Sequence, residues 1–219
     1  ISTTEGVFKS IDNGENWIQK GLDNKSIYCL AFNSNGDLFA GTSFGGGIYR
    51  STNNGENWLQ INNGLTNTDV RALLVNFDGS IFAGTAVGVF KSTNNGDNWI
   101  EVNNGLPESY ILTLTINSFG SIYAGTYGNG VFYTTNNGSN WIEMTDGLDI
   151  NDIRSLVVNS DNYIFAGSAG RGVYRSAEPT FISESHIFET GTFLLEQNFP
   201  NPFNPSTRIV YEIGNRQYV

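Results

Sequence analysis

Two short patterns in this chain carry the residue types of a recognition site: Asp69-x-Arg71 and Asp152-x-Arg154. A guanidinium presents a planar fork of donors that fits carboxylates and sugar hydroxyls, and aromatic rings beside it add stacking. Tyr28 and Tyr110 fall in the same part of their repeats as these two pairs, and Phe44, Val87, Tyr127 and Arg171 share a later part. The two aspartates also admit a catalytic reading, because a pair of carboxylates across a cleft can cleave a glycosidic bond. A plainer reading makes each Asp-x-Arg a local ion pair that finishes a strand. One histidine, His186, leaves few routes to His-based catalysis. One cysteine, Cys29, excludes an internal disulfide and a cysteine-rich zinc site. No cofactor and no metal site is expected.

The elements that position these residues are repeated. The four tryptophans, Trp17, Trp58, Trp99 and Trp141, are 41, 41 and 42 residues apart. Each closes an octet of pattern [ST]-x-[DN]-x-G-x-x-W. The key residues are Ser10, Asp12, Gly14 and Trp17 in the first, and Ser51, Asn53, Gly55 and Trp58 in the second. The third has Ser92, Asn94, Gly96 and Trp99, and the fourth Thr134, Asn136, Gly138 and Trp141. A short strand such as Gly88-Val-Phe-Lys91 precedes each octet, and Ala-Gly-[ST] triplets begin at Ala40, Ala83, Ala124 and Ala166.

One unit reads as four strands: Val70–Val75, Ile81–Thr85, Val89–Lys91 and Trp99–Val102. No segment sustains a helical period. A four-stranded unit repeated every 41–42 residues is the period of a β-propeller blade. The fold class is therefore all-β, a β-propeller of four-stranded antiparallel blades. Strand one is apolar on both faces because Leu73 and Leu74 each meet a different neighbouring blade. Whole blades span 27–61, 69–102 and 110–144, with partial blades at 1–20 and 152–176, so the propeller of residues 1–176 reads as incomplete. Either the N-terminal fourth strand completes the last blade or further blades lie upstream.

The octet resembles the Asp-box, or BNR repeat, of sialidase-type and related propellers, and that resemblance implies an architectural role. The third-position Asp or Asn is expected to bond the backbone two residues on. The glycine takes positive φ and the Trp packs on its own hairpin. Calcium binding at these turns is the rival, weakened because each offers at most two carboxylates.

Composition agrees with a turn-rich β protein. The 26 Gly and 29 Asn residues make up a quarter of the 219, and both types tolerate positive φ. Eleven basic against 21 acidic residues give a net charge of −10, which argues against nucleic acid as a partner. No apolar run is long enough for a membrane helix.

After Ser176 the composition changes. Residues 177–190 read as a linker. The run Phe199-Pro200-Asn201-Pro202-Phe203-Asn204-Pro205-Ser-Thr strongly resembles the opening of the C-terminal sorting domain of type IX secretion cargo, an immunoglobulin-like sandwich. Residues 191–219 are read as the beginning of that domain; the resemblance runs to Ile213 and Gly214 to Val219 depart from it, so the domain reads as cut off. It implies export by the type IX secretion machinery, an extracellular or outer cell-surface location, and Pro200–Pro205 as part of the sorting signal.

Alternating strand direction sorts the loops onto two faces. The octets and the strand one-to-two turns share one. The links into strand one and the strand two-to-three loops share the other, so Tyr28, Phe44, Asp69, Arg71, Tyr110, Tyr127, Asp152, Arg154 and Arg171 ring the mouth of a central channel. The leading expectation is a secreted or surface-held, non-catalytic binding or scaffold module with a glycan or protein ligand. The alternatives are an extracellular glycoside hydrolase of sialidase or β-glucanase type and the sensor propeller of a signalling receptor. The octet is also shared with photosystem-assembly propellers, whose arginine patch this chain lacks.

Overall fold

The structure, a computed structural model, describes residues 1–149 and 151–180 in full and the backbone of Phe193–Glu196. An N-terminal three-stranded sheet comprises β1 (Ser2–Thr3), β2 (Gly6–Lys9) and β3 (Ile18–Gln19). The first complete blade is β4 (Ile27–Phe32), β5 (Leu38–Thr42), β6 (Ile48–Ser51) and β7 (Leu59–Gln60). The second is β8 (Val70–Val75), β9 (Ile81–Thr85), β10 (Gly88–Ser92) and β11 (Ile100–Glu101). The third is β12 (Ile111–Ile116), β13 (Ile122–Thr126), β14 (Val131–Thr134) and β15 (Ile142–Glu143). The fourth is β16 (Ile153–Val158), β17 (Ile164–Ser168), β18 (Gly172–Ser176) and β19 (Phe193–Glu196). Each is an antiparallel meander, so the architecture is that of propeller blades. Among the described residues no helix is long and apolar enough to cross a membrane.

The core lies between blades rather than within one. Phe39, Ile48 and Ile61 of the first blade pack against Val70, Ile81, Phe90 and Trp99 of the second, with Leu73 beside them. Phe82 and Val89 of the second meet Ile111, Ile122 and Trp141 of the third, with Leu74 beside them. Leu73 and Leu74 thus serve opposite interfaces, as their alternation requires. A single blade cannot bury both of its faces, and stacking does it for each.

The octets differ from expectation in two respects. First, the third-position side chain accepts from the backbone four residues on, not two. Asn53 Oδ1 takes the Asn57 N–H and Asn94 Oδ1 the Asn98 N–H, both at 2.9 Å. The two-residue span belongs to the Ser hydroxyl. Ser51 Oγ accepts from the Asn53 N–H at 3.4 Å, accepts also from the Gly55 N–H at 2.9 Å, and donates to Asn53 Oδ1 at 3.0 Å. Asn54 and Gly55 are both left-handed, at φ 57° and 86°, which pushes the Asn57 amide round toward Asn53.

Second, a tryptophan does more than pack on its own hairpin. Trp58, Trp99 and Trp141 donate their indole N–H to Lys20 O, Ile61 O and Val102 O, at the end of the preceding sheet's outer strand. The octet is thus a staple between blades. Trp17 bonds only Gly14 O of its own turn.

In the first octet the third position is Asp12. The Asn16 backbone N–H, then the Asn16 side chain and the Ser10 hydroxyl, hold its carboxyl down to about 2. A carboxyl depressed on folding contributes stability in full above about 3.8, its ordinary value, and loses it as pH falls through about 2. NMR titration of Asp12 should show a midpoint near 2. Asp12→Asn should remove that acid limb while the turn still forms, since the other three octets use Asn there.

The last blade corrects the boundaries read from sequence. Its outer strand is neither missing nor β3. β19 pairs with β18 in the register Tyr174 to Leu195 and Ser176 to Phe193. The reason is local. Ser176 stands where the other blades begin an octet, but Ala-Glu-Pro follows, so no hairpin forms. Ser176 Oγ donates to Glu178 O, and Thr180 N–H bonds Asn162 O on the turn before β17. A later segment then fills the open edge of β18. The rest of the expected linker from 181 onward, and the expected sorting signal at Pro200 to Pro205, lie outside the described residues.

Candidate functional site

Loop-to-loop bonds place the two faces. On one, turns between first and second strands meet the next blade's octet. Asn33 donates to Asn95 and Asn76 to Asn137. Arg50 reaches the Asn95 carbonyl and Asp97, so this repeat-position cation belongs to an inter-blade ladder. On the other face, the strand two-to-three loops bond the links into strand one: Tyr127 N–H to Tyr110 O, Gly47 N–H to Thr68 O, and Ala169 N–H to Asp152 O.

Every first strand carries a β-bulge at its second residue. The register slips between Ile27 and Cys29, Val70 and Ala72, Ile111 and Thr113, and Ile153 and Ser155. The unpaired residues are Tyr28, Arg71, Leu112 and Arg154. A bulge re-aims its side chain and often lies beside a functional site. The next residues in space explain its position. Gly41 and Gly84 of the Ala-Gly-Thr triplets face Val70 and Ile111 of the following blade, so closely that a Cβ would fall 2.8 and 2.7 Å from those side chains.

The bulges and loops assemble one row across four blades. The Arg71 guanidinium lies 5.1 Å from the Tyr28 ring and 5.2 Å from the Tyr110 ring. Tyr110 meets Tyr127 edge to face at 6.4 Å, and Arg154 lies 5.4 Å from the Tyr127 ring. Each arginine is tethered two residues back. Arg71 Nη2 donates to Asp69 Oδ2 at 3.1 Å and Arg154 Nη2 to Asp152 Oδ2 at 2.7 Å. The Asp-x-Arg pairs are thus local ion pairs, and they also brace guanidiniums stacked on tyrosines. Tyr28, Tyr110 and Tyr127 remain 42–55% exposed, so the row is a surface a ligand can reach.

Seven of the nine candidate residues are therefore brought together: Tyr28, Asp69, Arg71, Tyr110, Tyr127, Asp152 and Arg154. Phe44 stands apart at the tip of its loop, left-handed at φ 53° and 89% exposed. Arg171 is exposed on the β17–β18 loop. A cavity of about 710 Å³ opens beside Tyr110 and is lined by Val87, Glu101, Leu106, Pro107 and Glu108 among others. Glu101 and Glu108 escape a sequence reading because neither sits in a paired motif. The signal was Pro107, the one proline before residue 179, which breaks the repeat in this link.

No family model matches the chain, and no curated protein matches it. Solved structures do. The chain is similar to streptogramin B lyase at a TM-score of 0.70 and 16% identity, over 91% of this chain and 63% of that one. It is similar to an ancestral GH74 enzyme at 0.60 and 25%, over 68% of this chain and 22% of that one. It is similar to the extracellular domain of the one component system BT4673 from B. thetaiotaomicron at 0.65 and 16%, over 80% and 25%. The chain thus spans under a third of the last two. Blades, stacking order and these likenesses together define a β-propeller. The neighbours themselves divide between enzymes and the extracellular domain of a one component system.

Proposed function

We propose that this protein is an extracellular or outer-surface β-propeller that works as a non-catalytic binding or scaffold module for a glycan or protein ligand. In this reading the type IX machinery exports it through the segment containing Pro200 to Pro205. The observation that carries the binding reading is the Tyr28–Arg71–Tyr110–Tyr127–Arg154 row, five side chains from four blades, with Tyr28, Arg71 and Arg154 on bulges and Tyr110 and Tyr127 on loops, gathered at one exposed face. Exposed tyrosines beside tethered guanidiniums give ring contacts and directed donors at low entropic cost. Asp69 and Asp152 each hold their own arginine, at 3.1 and 2.7 Å, from equivalent repeat positions, which supports a bracing role for them over a catalytic one.

Glycan and protein arrays probed with the chain should show at least one captured class. Arg71→Ala and Tyr127→Ala should each weaken that capture about tenfold or more, the scale of one lost charge-assisted or aromatic contact. Arrays without any hit, or hits indifferent to both substitutions, would defeat the proposal. The likeness to GH74 enzymes supports a second reading, a glycoside hydrolase. Hydrolysis of a β-glucan or sialoside that vanishes in Asp69→Asn or Asp152→Asn would establish it.

A further inference from the structure

The cavity beside Tyr110 has a chemistry of its own. It spans the second and third blades, from β11 to the start of β12, with a volume of about 710 Å³. Glu101 and Glu108 both line it and are exposed. The ion pairs of the described residues engage Glu56, Asp97, Asp69 and Asp152, so neither glutamate has a cation within 4.0 Å. Glu101 Oε1 accepts one hydrogen bond, from Asn103 Nδ2 at 2.9 Å. Among the described residues, no lysine or arginine lines the cavity. Across Leu106 and Pro107 a second cavity of about 480 Å³ adds Glu143 and Phe132, again without a basic residue. The arginines of the neighbouring row are already neutralised by Asp69 and Asp152.

We infer that this groove docks an extended peptide segment bearing lysine or arginine, and that Glu101 and Glu108 are its counter-charges. The inference rests on the binding-module reading and narrows its ligand. Charge complementarity selects the occupant: two unpaired carboxylates on a chain of net charge −10 repel an anion and attract a cation. Val87, Leu106 and Pro107 supply apolar wall for the methylene stem of such a side chain.

The test is fluorescence anisotropy on the full chain with labelled (Lys-Ser-Val)3, its (Glu-Ser-Val)3 counterpart and a neutral cello-oligosaccharide. The basic peptide should bind at least tenfold more tightly than the acidic one and weaken as salt rises. Glu101→Gln with Glu108→Gln should raise its Kd at least tenfold, while Glu15→Gln on the octet face leaves it unchanged. Both groove substitutions are exposed and isosteric, so unaltered circular dichroism should accompany the loss. Equal binding of the acidic peptide, no binding of the basic one, or indifference to the double substitution overturns the inference. Binding of the oligosaccharide alone also overturns it but leaves the binding-module reading standing. That broader reading fails only with the arrays.

Discussion

Gly64→Ala and Gly105→Ala are each expected to lower the melting temperature by about 10 °C, one of the two largest effects in the molecule. These glycines belong to the Asn-Gly-Leu links between blades and adopt φ 89° and 86°. An alanine pays about 1–2 kcal/mol there for a left-handed backbone. A methyl would in addition run into the carbonyl oxygens of Trp99 and Trp141 on the following blade, and backbone cannot swing aside as a long side chain can. Overpacking of this kind costs about 1–3 kcal/mol more. Together the two terms reach about 3 kcal/mol, and a chain of this size loses roughly 2–4 °C per kcal/mol. The clash would also displace the Trp99 N–H from Asn63 O and the Trp141 N–H from Asn104 O, which lie at 2.9 and 2.8 Å. Gly79→Ala is the control. Its φ is 82° but nothing lies within 4 Å of a Cβ, so only the strain should appear. Thermal unfolding of the three variants followed by circular dichroism separates the two contributions. Equal shifts would show that the link glycines serve conformation alone.

Trp99→Ala or Trp141→Ala should cost about 3–5 kcal/mol, as buried aromatic truncations do, whereas Trp17→Ala should cost far less. The three share one motif and one spacing, so sequence treats them alike. Trp99 and Trp141 are 3% and 2% exposed and tie two blades together, while Trp17 is 44% exposed and bonds its own turn. Trp99→Phe isolates the hydrogen bond: it keeps most of the ring but leaves Ile61 O without its donor, for about 1–3 kcal/mol. Urea unfolding monitored by the remaining tryptophans reads all four variants. A Trp17→Ala loss as large as that of Trp99→Ala would disprove the staple.

Much of the blade was legible in residues 70–102. The octet marks one turn, Asn76 to Gly79 marks another, and the apolar doublet Leu73-Leu74 marks a strand covered on both sides. The bulge was less visible, although its sign is in the lengths: six residues of β8 face five of β9. An inequality of that kind states that one residue is extra without stating which. Packing makes the choice, by pressing Val70 and Ala72 around Gly41 and Gly84 and leaving Arg71 outside the ladder. The row of tyrosines and arginines was legible as a list of residues that break the repeat. Its order was not, because Tyr28 and Arg154 are 126 positions apart and meet only through Arg71, Tyr110 and Tyr127.

The chain alone determined what local chemistry can determine. A period of 41–42 residues fixes the blade, glycine and asparagine fix its turns, and the few side chains outside the period mark the candidate face. The partner of each local feature was decided by the tertiary structure. The indole N–H of Trp99 is satisfied 38 residues away, the edge of β18 is covered by a strand from beyond the blades, and two unremarked glutamates share one groove. Turns and strands answer to neighbours in sequence, whereas staples, edges and grooves answer to neighbours in space. In a stack of near-identical blades the sequence repeats, but each blade's surroundings do not.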